Sequence, residues 1–375
     1  MSPKSSAGEP KPISNRLKKA AKAAAADVLA LKKGEKVLIV TNPEPDVHTI
    51  SLAVYQAAVE RGAVPTLAVQ PVKSQLDFAE PSVMGALREE PDVTISISHN
   101  KLGKDAQALK TPYKDGDKKF DHVFNYLLRM KRTRSFWSPS VTLDMFERTV
   151  PIDYQWLRKT AKGLKRVLDQ ADSVRVEAPG GTNLTIGVKG RTALSDDGDF
   201  RKGGTGGNLP SGEVFISPEL GKSTGTIAFD GSIATVGDAL VIEKPIICKV
   251  ERGFVTDVVG DAGARTLLKS LDAGGRMARD FVKEKKITAA QGKVYERNAR
   301  NLGELGIGLN KKARVVGNIL EDEKVFGTCH IAIGSNYDDD APALIHLDGI
   351  INKPTITAIY PSDRERVIME RGKLI

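Results

Sequence analysis

Cysteine is almost absent from this chain: Cys248 and Cys329 are the only two in 375 residues. That excludes a disulfide framework. No run of about 18 apolar residues occurs, so no membrane span is expected. The opening MSPKSSAGEPKPISN is polar and rich in Pro and Ser, without the apolar core of a secretory signal. It is read as a disordered tail over 1–14. No G-x-G-x-x-G follows the first apolar strand, which leaves dinucleotide binding unsupported. LGKST (220–224) superficially resembles a phosphate loop, but its upstream glycine position is Ile216. The expectation is a soluble cytoplasmic protein.

What remains is an ordinary globular composition, 40% hydrophobic and 27% charged, long enough for two domains. The net charge of +9 gathers in lysines before residue 36 and in Arg129, Lys131, Arg132 and Arg134. These are read as solvated surface rather than a nucleic-acid interface. Short apolar strands at 36–42, 65–71 and 93–99 alternate with helical patterns, one of them capped by Asp46 and another at 80–89. Such alternation predicts a doubly wound parallel-sheet α/β domain over 15–165. A connecting helix is expected at 153–172. Beyond it the texture changes to strands broken by Gly, Pro and Asp, with a hairpin turn at Glu251-Arg252-Gly253 and helices near 262–274 and 290–302. Residues 166–375 therefore read as an α+β domain with a largely antiparallel sheet, and as the catalytic one.

Histidine is scarce as well, with five in the chain, and two of them fall in GTCHIAIGSNYDDDAPALIHLDG (327–349). His346 and Asp348 form an H-x-D pair whose side chains share one face of an extended segment. An imidazole and a carboxylate converging in this way suit a divalent metal. Cys329 adjoins His330 but points to the opposite face of a strand, as a packed thiol would. In NLGELGIGLN (301–310), Glu304 sits among leucines and isoleucine. Burying a carboxylate there costs several kcal/mol (roughly) unless it is paired or metal-bound. Glu213 stands at the entry of an apolar strand after a Gly-rich loop. With His330 and Tyr337, these residues offer enough donors for two ions. Such a pair polarises a carbonyl and activates a bound water, which is machinery for amide hydrolysis.

The segments NLPSGEVFISP, GELGIGLN, HIAIGSNY and HLD, in that order, resemble the aminopeptidase T and aminopeptidase S metallopeptidases of bacteria and archaea. The resemblance implies a two-metal site of Glu213, Glu304, His330, Tyr337, His346 and Asp348, loaded with zinc, cobalt or manganese. It implies an N-terminal α/β domain, a C-terminal catalytic domain, a homodimer, and peptides as substrate. Glu304 is the expected bridging carboxylate, and Tyr337 either a ligand or a donor to the oxyanion. The chain departs from the prototypes in a longer Glu213-to-Glu304 separation, with added helix near 278–300, and a shorter Tyr337-to-His346 loop. The same superfamily resembles non-haem iron dioxygenases that open dihydroxypyridine rings. Those imply a two-His, one-carboxylate site with histidine in place of Glu304 and no glutamate at the Glu213 position. Both glutamates are present here, which favours the hydrolase with the dioxygenase as the alternative.

Overall fold

A computed structural model describes residues 11–74 and 76–375. Most of the expected tail, residues 1–10, lies outside the described residues. The chain divides into two compact units. One comprises residues up to Arg158 together with Asp196–Ser211, the other Lys159–Ser195 with Gly212–Ile375. The boundary falls inside the helix Tyr154–Leu168, and the 165/166 boundary read from the sequence lies later in that same helix.

The first unit holds a five-stranded sheet in the order Gly206–Asn208, Arg134–Pro139, Val93–Ser98, Lys36–Thr41, Val64–Val69. Every pairing in it is parallel. Its central strand, Val93–Ser98, is a fully buried run of Val, Ile, Ser and Thr, as a sheet covered on both faces requires. Leu38 and Val40 pack with Val83, Met84 and Leu87 of the helix Pro81–Arg88 and with Val123 and Leu127 of Val123–Arg129. Three sequence readings are corrected here. Asp46 is not the cap of its helix: Pro45–Glu60 is preceded by Glu44, with Pro45 in its first turn, and the Asp46 carboxylate accepts from the Leu143 amide at 3.1 Å. The segment 206–208 leaves the region assigned to the second domain and joins this sheet as an edge strand, aligned with Arg134–Pro139. Arg134 is buried rather than solvated, paired through both terminal nitrogens with Glu35 at 3.0 and 2.7 Å. Arg129 and Arg132 also have carboxylate partners, in Asp115 and Glu90.

His122 caps Val123–Arg129. Its Nδ1 accepts from the Phe124 amide at 3.1 Å and its Nε2 contacts the Gly103 carbonyl at 3.0 Å. An imidazole that accepts at Nδ1 and donates at Nε2 is neutral. Burial depresses the pKa of His122, and the Gly103 carbonyl only partly offsets this. A depressed pKa means the fold prefers the neutral ring. The stability it contributes is complete above the ordinary histidine value of 6.5 and is lost as pH falls through the folded value. His122→Ala is expected to cost about 1 kcal/mol at pH 8, and the loss is expected to shrink below pH ~6. Urea melts of both proteins across that range check it.

The second unit contains two antiparallel sheets. One runs Phe254–Val259, Ile246–Glu251, Ser223–Phe229, Asn183–Gly187, Ser173–Glu177, Thr355–Ile359, Glu365–Glu370, Lys373–Leu374. Arg252 and Gly253, with φ of 50° and 77°, form the tight turn anticipated between its first two strands, where Glu251 faces Phe254. Positive φ at both central residues suits the strand twist of a two-residue hairpin. In the other sheet, seven strands run Ala239–Val241, Ser232–Ala234, His346–Asn352, Thr328–Gly334, Leu302–Gly308, Glu213–Ile216, Leu194–Asp196. Helices Ala262–Lys283 and Ala289–Asn298 belong to this unit, the latter with a Thr288/Gln291 capping box. No helix among the described residues is long and apolar enough to cross a membrane.

Candidate metal centre

Four adjacent antiparallel strands build the site by simple alternation. Glu213 faces Gly308, Gly306 faces His330, Ala332 faces both Glu304 and Asp348, and Gly334 faces His346. Side chains two apart share a face. Glu304, Gly306 and Gly308 therefore line the same surface as His330, Ala332 and Gly334, and as His346 and Asp348. The pattern E-x-G-x-G beside H-x-A-x-G beside H-x-D places large donors among residues with little or no side chain. The vacated space is used. A Cβ on Gly306 would lie 2.0 Å from His330 Nε2, so the imidazole rests directly on the strand. A Cβ on Gly308 would lie 2.1 Å from the Val325 carbonyl oxygen, which lets the segment after the short helix Ile319–Asp322 lie against the sheet.

Five of the six residues singled out from the sequence thus come together. His330 Nε2 is 3.1 Å from Glu304 Oε1 and 3.5 Å from Glu213 Oε2. His346 Nε2 is 3.3 Å from Glu304 Oε2 and 3.3 Å from Asp348 Oδ1. Glu304 therefore offers one oxygen to each imidazole. His346 Nδ1 donates to the Ser335 carbonyl at 2.8 Å, which leaves Nε2 directed at the carboxylates. Tyr337 stands apart. It is 56% exposed, with its ring 5.4 Å from that of His346 and 5.1 Å from that of Phe215. Cys329 is buried on the opposite face of its strand from His330, as a packed thiol.

Sequence reasoning missed two residues. Glu323 and the fully buried Lys324 enter the cluster from the segment lying over Gly308. Lys324 Nζ is 2.6 Å from Glu213 Oε1 and 2.5 Å from Glu323 Oε1. Their signal was the acidic run Glu321-Asp322-Glu323 followed by a lysine, directly ahead of the His330 strand. An acidic run usually marks solvated surface, and only burial distinguishes this one.

The electrostatics are those of carboxylates crowded out of water. Burial opposes the charge of His330, but Glu304, Glu213 and Asp348 outweigh it and push its pKa up to about 9. The same opposition holds for His346, where Asp348 and then Glu304 prevail and the pKa stands well above 6.5. Asp348 is held down to about 2, because His346 and His330 outweigh its burial. Glu323 is pushed up to about 8 by burial, against the pull of Lys324. Without a metal, protons on the imidazoles supply the positive charge the cluster needs.

These donors suit a divalent ion. Among the described residues, three groups have ligand atoms within 4.8 Å of one another: Glu213, Glu304 and His330; Glu304, His346 and Asp348; Glu323, His330 and Asp348. Glu213 Oε2 and Asp348 Oδ1 are buried and make no well-formed hydrogen bond, facing only the His330 and His346 imidazoles at 3.5 and 3.3 Å, and buried carboxylate oxygens so placed are costly unless a cation meets them. A cation bound there would take the place of the imidazole protons.

The family model of NicX, 2,5-dihydroxypyridine 5,6-dioxygenase, matches residues 140–333, more than half of the chain's 375. The chain belongs to the NicX family. The matched span carries Glu213, Glu304, Glu323, Lys324 and His330, and ends before Tyr337, His346 and Asp348. The chain is also similar to two solved structures over nearly its whole length. One is the 2,5-dihydroxypyridine dioxygenase of Pseudomonas putida KT2440, with a TM-score of 0.70, 16% identity, and coverage of 97% of this chain and 98% of that one. The other is wild-type AmpT of Thermus thermophilus, with a TM-score of 0.67, 18% identity, and coverage of 96% and 99%. At these identities the likeness is one of fold. It bears out the two-part α/β architecture, and it supports the aminopeptidase T resemblance in fold only. No curated protein matches the chain in sequence.

Proposed function

We propose that this chain is a metal-dependent dioxygenase that opens the ring of a hydroxylated pyridine or a related hydroxylated aromatic. The observation that carries this reading is the NicX family match across 140–333, which includes the strands bearing Glu213, Glu304 and His330. It reverses the order of preference drawn from the motifs, which put peptide hydrolysis first. Glu304, His346 and Asp348, with His330 beside them, would hold the metal, Glu304 standing where the resemblance to the dioxygenases puts a histidine. A ferrous ion there would supply the redox chemistry that couples dioxygen to an electron-rich ring. The chain's own part is positional. Ser335 orients His346, Glu304 holds both imidazoles, and the ring of Tyr337, beside His346 and packed on Phe215, offers a flat surface for a planar substrate.

One geometric observation favours a second reading, the two-metal aminopeptidase. Each of the three candidate ligand groups contains a single histidine, and the two oxygens of Glu304 face different imidazoles. That is the shape of a carboxylate shared between two ions, with zinc, cobalt or manganese as candidates and peptide N-termini as substrate. The two readings separate cleanly in one pair of assays. Ferrous-loaded protein is expected to consume dioxygen in step with loss of 2,5-dihydroxypyridine absorbance, and the zinc-, cobalt- or manganese-loaded protein to leave a panel of aminoacyl amides intact. Amide hydrolysis without oxygen uptake would replace the first reading with the second.

A further inference from the structure

We propose that Lys324 makes the candidate ion positions unequal: one ion binds tightly against Glu304, His346 and Asp348, and the positions nearer His330 stay weak because the lysine already holds their carboxylates. This inference rests on the reading of the site as a metal centre. Of the three ligand groups, one depends on Glu213 and another on Glu323. Both carboxylates are bound to the Lys324 ammonium, at 2.6 and 2.5 Å. Only the group of Glu304, His346 and Asp348 contains neither.

The ammonium cannot be screened or displaced cheaply. Its side chain is 0% exposed, so water does not weaken its repulsion of a second cation. Its backbone is pinned to the sheet as well. The Asn310 amide donates to the Lys324 carbonyl at 2.8 Å, and a Cβ on Gly308 would lie 2.9 Å from the Lys324 carbonyl carbon. A lysine placed this way also makes a folded, metal-free cluster tolerable, since buried carboxylates are costly without a cation.

The test is metal binding, read independently of turnover. Chelator-treated protein is titrated with zinc, a redox-inert probe, in a calorimeter, and its metal content is measured after dialysis. The wild type is expected to retain one ion and to bind any second at least about 100-fold more weakly. Lys324→Met is expected to retain two, with affinities within about 10-fold of each other. Lys324→Arg keeps the charge and is expected to behave as the wild type, which a merely space-filling role would not require. Asp348→Asn is expected to abolish the tight phase. Two equally tight ions in the wild type would overturn the proposal, as would one ion in a folded Lys324→Met. Should Lys324→Met fail to fold, His346→Gln decides, because of the three groups His346 belongs only to the one with Glu304 and Asp348, and survival of the tight ion there overturns the proposal. Absence of any bound ion in the wild type would instead overturn the metal-dependent reading beneath it.

Discussion

Gly306→Ala is expected to lower turnover by at least about a thousand-fold and to destabilise the protein by about 1–3 kcal/mol. The reason is a single missing atom. The added Cβ would lie 2.0 Å from His330 Nε2, 2.1 Å from Cε1 and 2.8 Å from Cδ2. Carbon and nitrogen do not approach closer than about 3 Å without strain, so the imidazole must leave. It has nowhere equivalent to go. His330 is fully buried, and rotating the ring away takes Nε2 from Glu304 and Glu213. The effect should appear together in metal content, activity and thermal melting. Gly275→Ala provides the contrast. Gly275 lies inside the helix Ala262–Lys283, where a Cβ would meet nothing closer than Glu296 Cγ at 3.5 Å. That substitution is expected to stabilise by about 0.4–1 kcal/mol.

Glu304→Gln is expected to cut bound metal at least about tenfold and turnover by about a thousand-fold or more. Glutamine keeps the shape but not the charge, and its amide presents a donor on one side. Glu304 is 3% exposed, and its carboxylate sits lower in pKa than usual because His330 and His346 outweigh its burial. Both imidazoles would lose the anion that faces them, and one would meet an NH2 group instead. Loss of metal is common to both readings of the site, so metal analysis of the purified variant checks the assignment before any substrate is known. Full metal content with unchanged turnover would remove Glu304 from the centre.

The site was legible in unusual detail because strands encode faces locally. Glu304 with Gly306 and Gly308, His330 with Ala332 and Gly334, and His346 with Asp348 are all spaced by two, and that spacing fixes a shared side whatever the partner strand is. The same alternation set Cys329 on the opposite side from His330. The parallel sheet of the first unit was legible for a related reason: buried strands between helices have few other arrangements. Asp46 shows where local reasoning stopped. An aspartate before an apolar helical pattern is an ordinary cap, but Pro45 fits the first turn itself, and the carboxylate serves the Leu143 amide, 97 residues away.

By itself, then, the sequence determined which residues within each strand share a face. That follows from backbone geometry within a few residues. Tertiary structure decided what lies over that face. It brought the Glu323–Lys324 segment onto Gly308, buried a lysine against Glu213, and returned 206–208 to the edge of a distant parallel sheet. None of these has a local signature that separates it from ordinary solvated surface or loop. Each depends on contacts between segments far apart in the chain, and on burial that turns an ordinary acidic run into a charged cluster sealed from water.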